Sequence, residues 1–252
     1  MKLLSLARDL QRRKARERQS LFVAEGVRAV EELLVSPLKV VGALVATGDA
    51  AGERLAKVRA AIEERRIEVA EVSDRDFLSA SDTDSPQGVL AIAEIPERSM
   101  ASIAMADRGR MLVLDAIQDP GNVGTILRTA AAFDVAATVA MPGTVDLWNA
   151  KVVRSAMGAL FHHHALHASW SQLDEFLTQN GVTMWGADAA GARLGERGAP
   201  PRLAIAVGNE GSGLTSDARS RASHMVSIPT APTVESLNVA VAAGILLHHF
   251  RQ

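Results

Sequence analysis

The sequence predicts a two-part α/β protein: a small α/β unit over residues 1–95, then a larger doubly wound domain with a mostly parallel sheet over residues 111–252. Three observations carry this reading. Short apolar runs of strand length alternate with segments of helical period along the chain. Residues 96–110 interrupt the alternation with a proline, a glycine, small residues and scattered charge, as a linker does. Beyond them charge thins while Gly and Ala rise. A chain of 252 residues is one large domain or two modest ones, and its 48% hydrophobic content supplies a core and argues against disorder.

In the first part, Val40–Ala46 reads as a buried strand. Gly52–Arg65 reads as a charged helix with Leu55, Val58, Arg59 and Ile62 at spacings of three and four. Ile67–Val72 and Val89–Ala93 are further strands, separated by the polar turn Ser81–Gln87. In the second part, strands are expected at Met111–Leu114, Ala136–Ala140, Val182–Ala187, Ala204–Val207 and Met225–Ile228. Helices are expected near Asn122–Phe133, Asn149–Ala159, Leu173–Gln179 and Ser236–Phe250. Strand and helix in this alternation give a parallel sheet.

Composition closes off several functions. With no cysteine, disulfide scaffolds, thiolate zinc sites and cysteine nucleophiles are excluded, and a cytoplasmic location is the expectation. Residues 1–20 hold no apolar signal core and no run of 18 uncharged apolar residues occurs, so no membrane association is expected. His162, His163 and His164 resemble a metal cluster, but consecutive side chains of a strand diverge, so no metal is expected. Aromatics at 4%, with no Tyr, argue against base-stacking platforms. The net charge of −2 conceals a basic end: Lys2, Arg8, Arg12, Arg13, Lys14, Arg16 and Arg18 face only Asp9 and Glu17, which invites a polyanion.

Three stretches carry chemistry. The first runs from Leu114 to Arg128, where a strand ends at Asp115, a Pro-Gly turn follows and Asn122 begins a helix. Val123, Ile126, Leu127, Ala130 and Ala131 share an apolar arc, with Asn122, Thr125, Arg128 and Thr129 opposite. Alone, this is equally an ordinary amphipathic helix with a wet face. The second, Ile205–Leu214, runs a strand into glycines at 208, 211 and 213. It is neither a dinucleotide fingerprint nor a P-loop, and Glu210 within it suits a neutral or cationic ligand better than a phosphate. A glycine-rich connection with no ligand is the alternative. In the third, Ile228–Leu247, prolines stiffen a loop and Ser236 can cap a helix that is apolar nearly all round. Asn238, a polar intruder near its start, must satisfy loop backbone or face a ligand.

Together and in this order the stretches resemble the SpoU/TrmH branch of the SPOUT RNA methyltransferases. The matching elements are N-x-G-x-x-x-R at Asn122, Gly124 and Arg128, G-N-E-G-x-G-L at Gly208–Leu214, and I-P…E-S-L-N-V-A-V-A from Ile228 to Ala242. Lys151–Leu160 is similar to the family's small-residue segment. The N-terminal part resembles the substrate-binding domain of larger members, akin to ribosomal proteins that bind kinked RNA, through Phe22–Leu33. One departure is Pro232, where members usually have Gly.

The resemblance implies a trefoil-knotted C-terminal domain, where topology rules alone predict an unknotted sheet. It implies S-adenosylmethionine held by Gly208, Glu210, Gly211, Ile228, Pro229, Leu237 and Asn238, and a homodimer whose site borrows residues from both subunits. The implied reaction is methyl transfer to a ribose 2′-hydroxyl of RNA, ribosomal RNA ahead of transfer RNA. Arg128, Asn122, Glu210, Ser236 and Asn238 are its candidate catalytic residues. Because an arginine stays protonated, Arg128 is expected to bind phosphate and steady developing alkoxide charge rather than act as a base. Arg12, Arg13, Lys14, Arg16 and Arg18 are the candidate RNA-binding residues. A non-catalytic RNA-binding or assembly protein and a base methyltransferase of another SPOUT branch remain as alternatives.

Overall fold

The computed structural model describes residues 2–48 and 53–251. They form two compact units: Met1–Glu97 with Trp148–His162, and Arg98–Leu147 with His163–Gln252.

The first unit opens with helices α1 (Lys2–Asp9) and α2 (Arg13–Gln19), then strand β1 (Leu21–Glu25), α3 (Val27–Val35) and β2 (Val40–Ala46). Next come α4 (Glu53–Glu64), β3 (Val69–Val72), α5 (Asp74–Leu78) and β4 (Val89–Glu94). The sheet order is β1-β4-β2-β3, antiparallel except for the parallel β2–β3 pair. Leu3, Leu4, Ala7 and Leu10 close one face of this sheet over Leu44, Leu90 and Ile92. The expected strands 40–46 and 89–93 are present, and the helix expected from Gly52 is α4, Gly52 itself lying outside the described residues. β1 and α3 were not anticipated as elements.

The second unit carries β5 (Arg110–Asp115), α6 (Pro120–Ala132) and β6 (Ala137–Ala140). Helices α7 (Ala150–Ser155) and α8 (Ala159–His162) intervene within the first unit. The second unit then continues with β7 (Ala165–His167), α9 (Trp170–Asn180), β8 (Thr183–Arg193), β9 (Leu203–Gly208), α10 (Ser216–Arg221), β10 (His224–Ser227) and α11 (Val239–Phe250). Its six strands lie in the order β10-β8-β9-β5-β6-β7, every pair parallel. Strands buried on both faces read as continuous apolar runs, as Met111–Leu114 and Leu203–Val207 do.

Two boundaries differ from the expectation. Residues from Arg98 onward belong to the second unit rather than to a slack linker, because Ile103 is buried in its core with Met100 and Met105 packed alongside. Trp148–His162, expected inside the larger domain, belongs to the first unit. The Trp148 ring lies 4.5 Å from that of Phe22 and the Phe161 ring 5.7 Å from it. The expected single helix 149–159 is also divided, with Met157 and Gly158 at positive φ between α7 and α8. A short apolar helix carries no signal for which sheet it will cover; packing decides that.

Candidate active site

The three motif stretches meet at the carboxyl ends of β5, β9 and β10, where open parallel sheets collect ligands. Asp119 caps α6, its carboxylate accepting from the Asn122 amide at 2.8 Å, and Pro120 takes the first helical position, where a missing N–H costs nothing. The helix therefore starts two residues before the expected Asn122. The Thr125 and Thr129 hydroxyls bond back to their own helix.

Asn122 joins the motifs. Its Nδ2 donates to Glu210 Oε1 at 3.0 Å, and its Oδ1 accepts from Asn238 Nδ2 at 2.9 Å. The carboxylate can only accept, so it sets the orientation of the Asn122 amide, which in turn sets that of Asn238. Asn238 Oδ1 is then free to cap α11, accepting from the amides of Ala240 and Val241. Asn238 rather than the expected Ser236 is thus the N-cap.

Glu210 gathers further donors from the backbone of Asp119 at 3.3 Å and of Gln118 at 3.5 Å. Burial, the largest single influence, pushes its carboxyl up. The hydrogen bonds from Asn122 and from backbone amides together outweigh burial and hold it below the ordinary carboxylate range. Glu210 is therefore an anion at neutral pH.

The loop after β9 depends on Asn209, which the sequence reading passed over. Its Oδ1 accepts from the amides of Gly211 at 3.0 Å and Ser212 at 3.1 Å, while its Nδ2 donates to the Ala116 carbonyl at 2.9 Å. Gly208 sits where a Cβ would lie 2.3 Å from the carbonyl carbon of Gly213, so no side chain is tolerated there. Asp115, buried at the end of β5, accepts from the amide and hydroxyl of Thr215 and closes the far side of the loop.

These elements line a cavity of about 360 Å³. Gly208, Glu210, Gly211, Ile228, Ser236 and Leu237 are all on its wall; Pro229, Asn238, Asn122 and Arg128 are not. The remaining wall comes from an irregularity in β8. Its pairing with β10 jumps from Gly186 to Ala192, and the intervening Asp188, flanked by Ala187 and Ala189, reaches the cavity. Asp188 pairs with Arg219, and its carboxyl is held low chiefly by the Ala190 amide. Asp188, Glu210 and Glu235 against Arg219 leave the wall net negative, which suits a neutral or cationic ligand. No local pattern marks Asp188 and Arg219, which meet only where α10 packs beside β8.

Arg128 stands exposed on α6, with no ion pair among the described residues. Pro232 has a physical reason: the Val234 amide bonds the Ala231 carbonyl at 2.9 Å, and Pro232 occupies the second position of that four-residue turn, where its fixed φ is favourable. His162 ends α8 and is exposed, while His163 is buried against Thr138 at 2.8 Å, and none of His162, His163 and His164 lies in the strand that the expectation assumed. Among the described residues no group of three or more His, Asp or Glu could hold a metal, and no helix is long and apolar enough to cross a membrane.

The N-terminal basic residues are largely engaged elsewhere. Arg12 and Arg18 both pair with Asp9, and Arg13 pairs with Glu17 at 2.7 Å. Arg16 is 4% exposed and donates to the carbonyls of Leu10 and Gln11, a structural role in place of the expected RNA contact. Lys14 is exposed.

Fold and site together define an α/β protein with a compact, net negative cavity at the carboxyl edge of a parallel sheet. Residues 109–248 match the SpoU rRNA methylase family, and residues 5–91 match the MRM3-like substrate binding domain. The chain belongs to the SpoU rRNA methylase family. It is 34% identical over 245 residues to the 23S rRNA (guanosine(2553)-2′-O)-methyltransferase RlmP of Bacillus subtilis, covering 97% of this chain and 94% of that one. An AdoMet-bound rRNA methyltransferase from Sinorhizobium meliloti superposes with a TM-score of 0.86 at 26% identity, over 99% of this chain and 94% of that one. An RNA 2′-O ribose methyltransferase superposes with a TM-score of 0.84 at 31% identity, over 98% and 94%.

Proposed function

We propose that this chain methylates a ribose 2′-hydroxyl of RNA, ribosomal RNA rather than transfer RNA, using S-adenosylmethionine, and that it works as a homodimer in the cytoplasm. The observation that carries the reading is the hydrogen-bonded chain Glu210–Asn122–Asn238, which ties three distant motifs to the rim of one cavity. The names of its relatives support the substrate class.

The donor set fits the cofactor. Side-chain-free backbone at Gly208 permits close approach, and a net negative wall suits a sulfonium and an ammonium. When bound, the cofactor supplies an electrophilic methyl group. Gly208, Glu210, Gly211, Ile228 and Leu237 would hold it, with Pro229 and Asn238 shaping the rim. Asn122 and Ser236 position the acceptor ribose. Arg128 binds phosphate and stabilises the charge that develops as the hydroxyl proton leaves to solvent.

Arg128 is not on the cavity wall, which supports the reading that it serves the site of a second copy. On α11 the apolar side chains of Val241 and Ile245 are exposed, a surface for that contact. The trefoil knot belongs to the same proposal.

The test is incubation with total RNA and methyl-labelled S-adenosylmethionine, followed by digestion to nucleosides. Label in 2′-O-methylated ribose of ribosomal RNA is expected. Label in a base, or in transfer RNA alone, overturns the substrate assignment, and no cofactor binding by calorimetry favours a non-catalytic protein. Arg128→Ala is expected to abolish turnover while leaving cofactor affinity within a few-fold.

A further inference from the structure

Arg12, Arg13 and Arg18 are paired and Arg16 is buried, and the first unit offers a second basic surface. A cavity of about 600 Å³ lies within that unit, and its wall includes Arg28, Arg54, Arg154, Thr83, Ser85 and Gly26. Of its cationic residues, Arg54 is held by Glu31 and Arg154 lies 3.3 Å from Asp82. Arg28 is exposed and makes no ion pair or side-chain hydrogen bond among the described residues. The one carboxylate on the wall, Glu25, is 5% exposed and already accepts from the Ser81 hydroxyl and the Asp82 amide. Three guanidinium groups against one satisfied carboxylate leave the wall net positive, the reverse of the cofactor cavity.

We propose that this cavity grips a backbone phosphate of the substrate RNA, with Arg28 as the principal contact and Arg154 as the second; the assignment rests on the RNA methyltransferase reading above. A guanidinium forks onto two phosphate oxygens, and such charge-assisted bonds are about twice as strong as neutral ones. The Thr83 and Ser85 hydroxyls supply neutral donors. Gly26, at φ 97°, turns the chain into α3, and the Gln87 side chain, also on the wall, accepts from the Val27 amide at 2.9 Å. Arg154 comes from Trp148–His162, the segment that lies within the methylase-family match yet packs in the first unit. One phosphate would therefore be held by residues from both matched regions of the sequence.

The experiment titrates wild type and variants with purified 23S rRNA at several salt concentrations and measures S-adenosylmethionine affinity by calorimetry in parallel. Arg28→Glu and Arg154→Gln are each expected to weaken RNA binding about tenfold or more and to reduce the salt slope by about 0.7 to 0.9 per lost phosphate contact. Cofactor affinity and Tm should stay unchanged, and Arg28→Lys should restore most of the RNA binding. Arg75→Glu, the same charge change outside the cavity, should cost little. If wild type binds and methylates RNA while Arg28→Glu and Arg154→Gln bind within twofold of it, this assignment falls and the methyltransferase reading stands. Wild type that binds no RNA overturns both. Inorganic phosphate alone is the second probe: binding of it that Arg28→Glu abolishes without loss of RNA affinity overturns the RNA assignment.

Discussion

In the second unit Asn122 hydrogen-bonds both Glu210 and Asn238 at the rim of a cavity, whereas in the first unit Arg12, Arg13 and Arg18 pair with the carboxylates beside them, Arg12 and Arg18 on the wall of an open hollow. Both groups look equally functional as strings of polar residues. The difference lies in sequence distance. The second-unit contacts span about 90 to 120 positions, and only a fixed tertiary structure holds such groups together. The first-unit pairs are three to nine positions apart, form on one or two neighbouring helices, and neutralise part of the local charge. Exposed pairs of this kind are worth little in stability and also blunt the local field.

The contrast can be broken most sharply at Gly208. Gly208→Ala places a methyl group against the Gly213 backbone, and overpacking of that kind costs ~1–3 kcal/mol. Cofactor affinity, read by calorimetry, should fall by about 100-fold while RNA binding through the first unit persists. Unchanged cofactor affinity would mean that the loop is slack and the motif tie unimportant.

His163 sharpens the same point through pH. Burial, the largest cause, with Arg98 and His164 adding to it, lowers its pKa from 6.5 to about 4. The unfolded imidazole thus takes a proton at higher pH than the folded one. Stability is full above about 6.5 and declines as pH falls through the window down to 4, by ~3 kcal/mol in all. Denaturant midpoints measured across that range should show the decline in wild type, and a His163→Gln variant should lose most of it.

The smallest effect belongs to the first unit. Because Arg12 lies off the wall of the Arg28 cavity, Arg12→Ala should change RNA affinity by less than about twofold, against about tenfold for Arg28→Glu. A larger loss at Arg12 would return the RNA surface to the N-terminal helices.

The parallel sheet was legible because strands buried on both faces must be apolar throughout, as at Leu112–Leu114 and Ala204–Val207. β7 escaped notice because a strand of three residues carries no period. Pro232, which looked like a break in the third motif, proved to fit a turn whose closing hydrogen bond no local pattern reveals.

The sequence by itself determined the family, the alternation of elements, and which loops carry glycine, because propensity, turn chemistry and burial period are local properties written in consecutive residues. Only the tertiary structure decided that Asp188 reaches the cavity at the carboxyl edge of the parallel sheet and that Asn209 braces the loop beside it. It alone assigned Trp148–His162 to the first unit, and it silenced Arg16 while leaving Arg28 open. Those outcomes depend on which surfaces meet when the chain closes, and residues far apart in sequence settle that through packing and hydrogen-bond satisfaction.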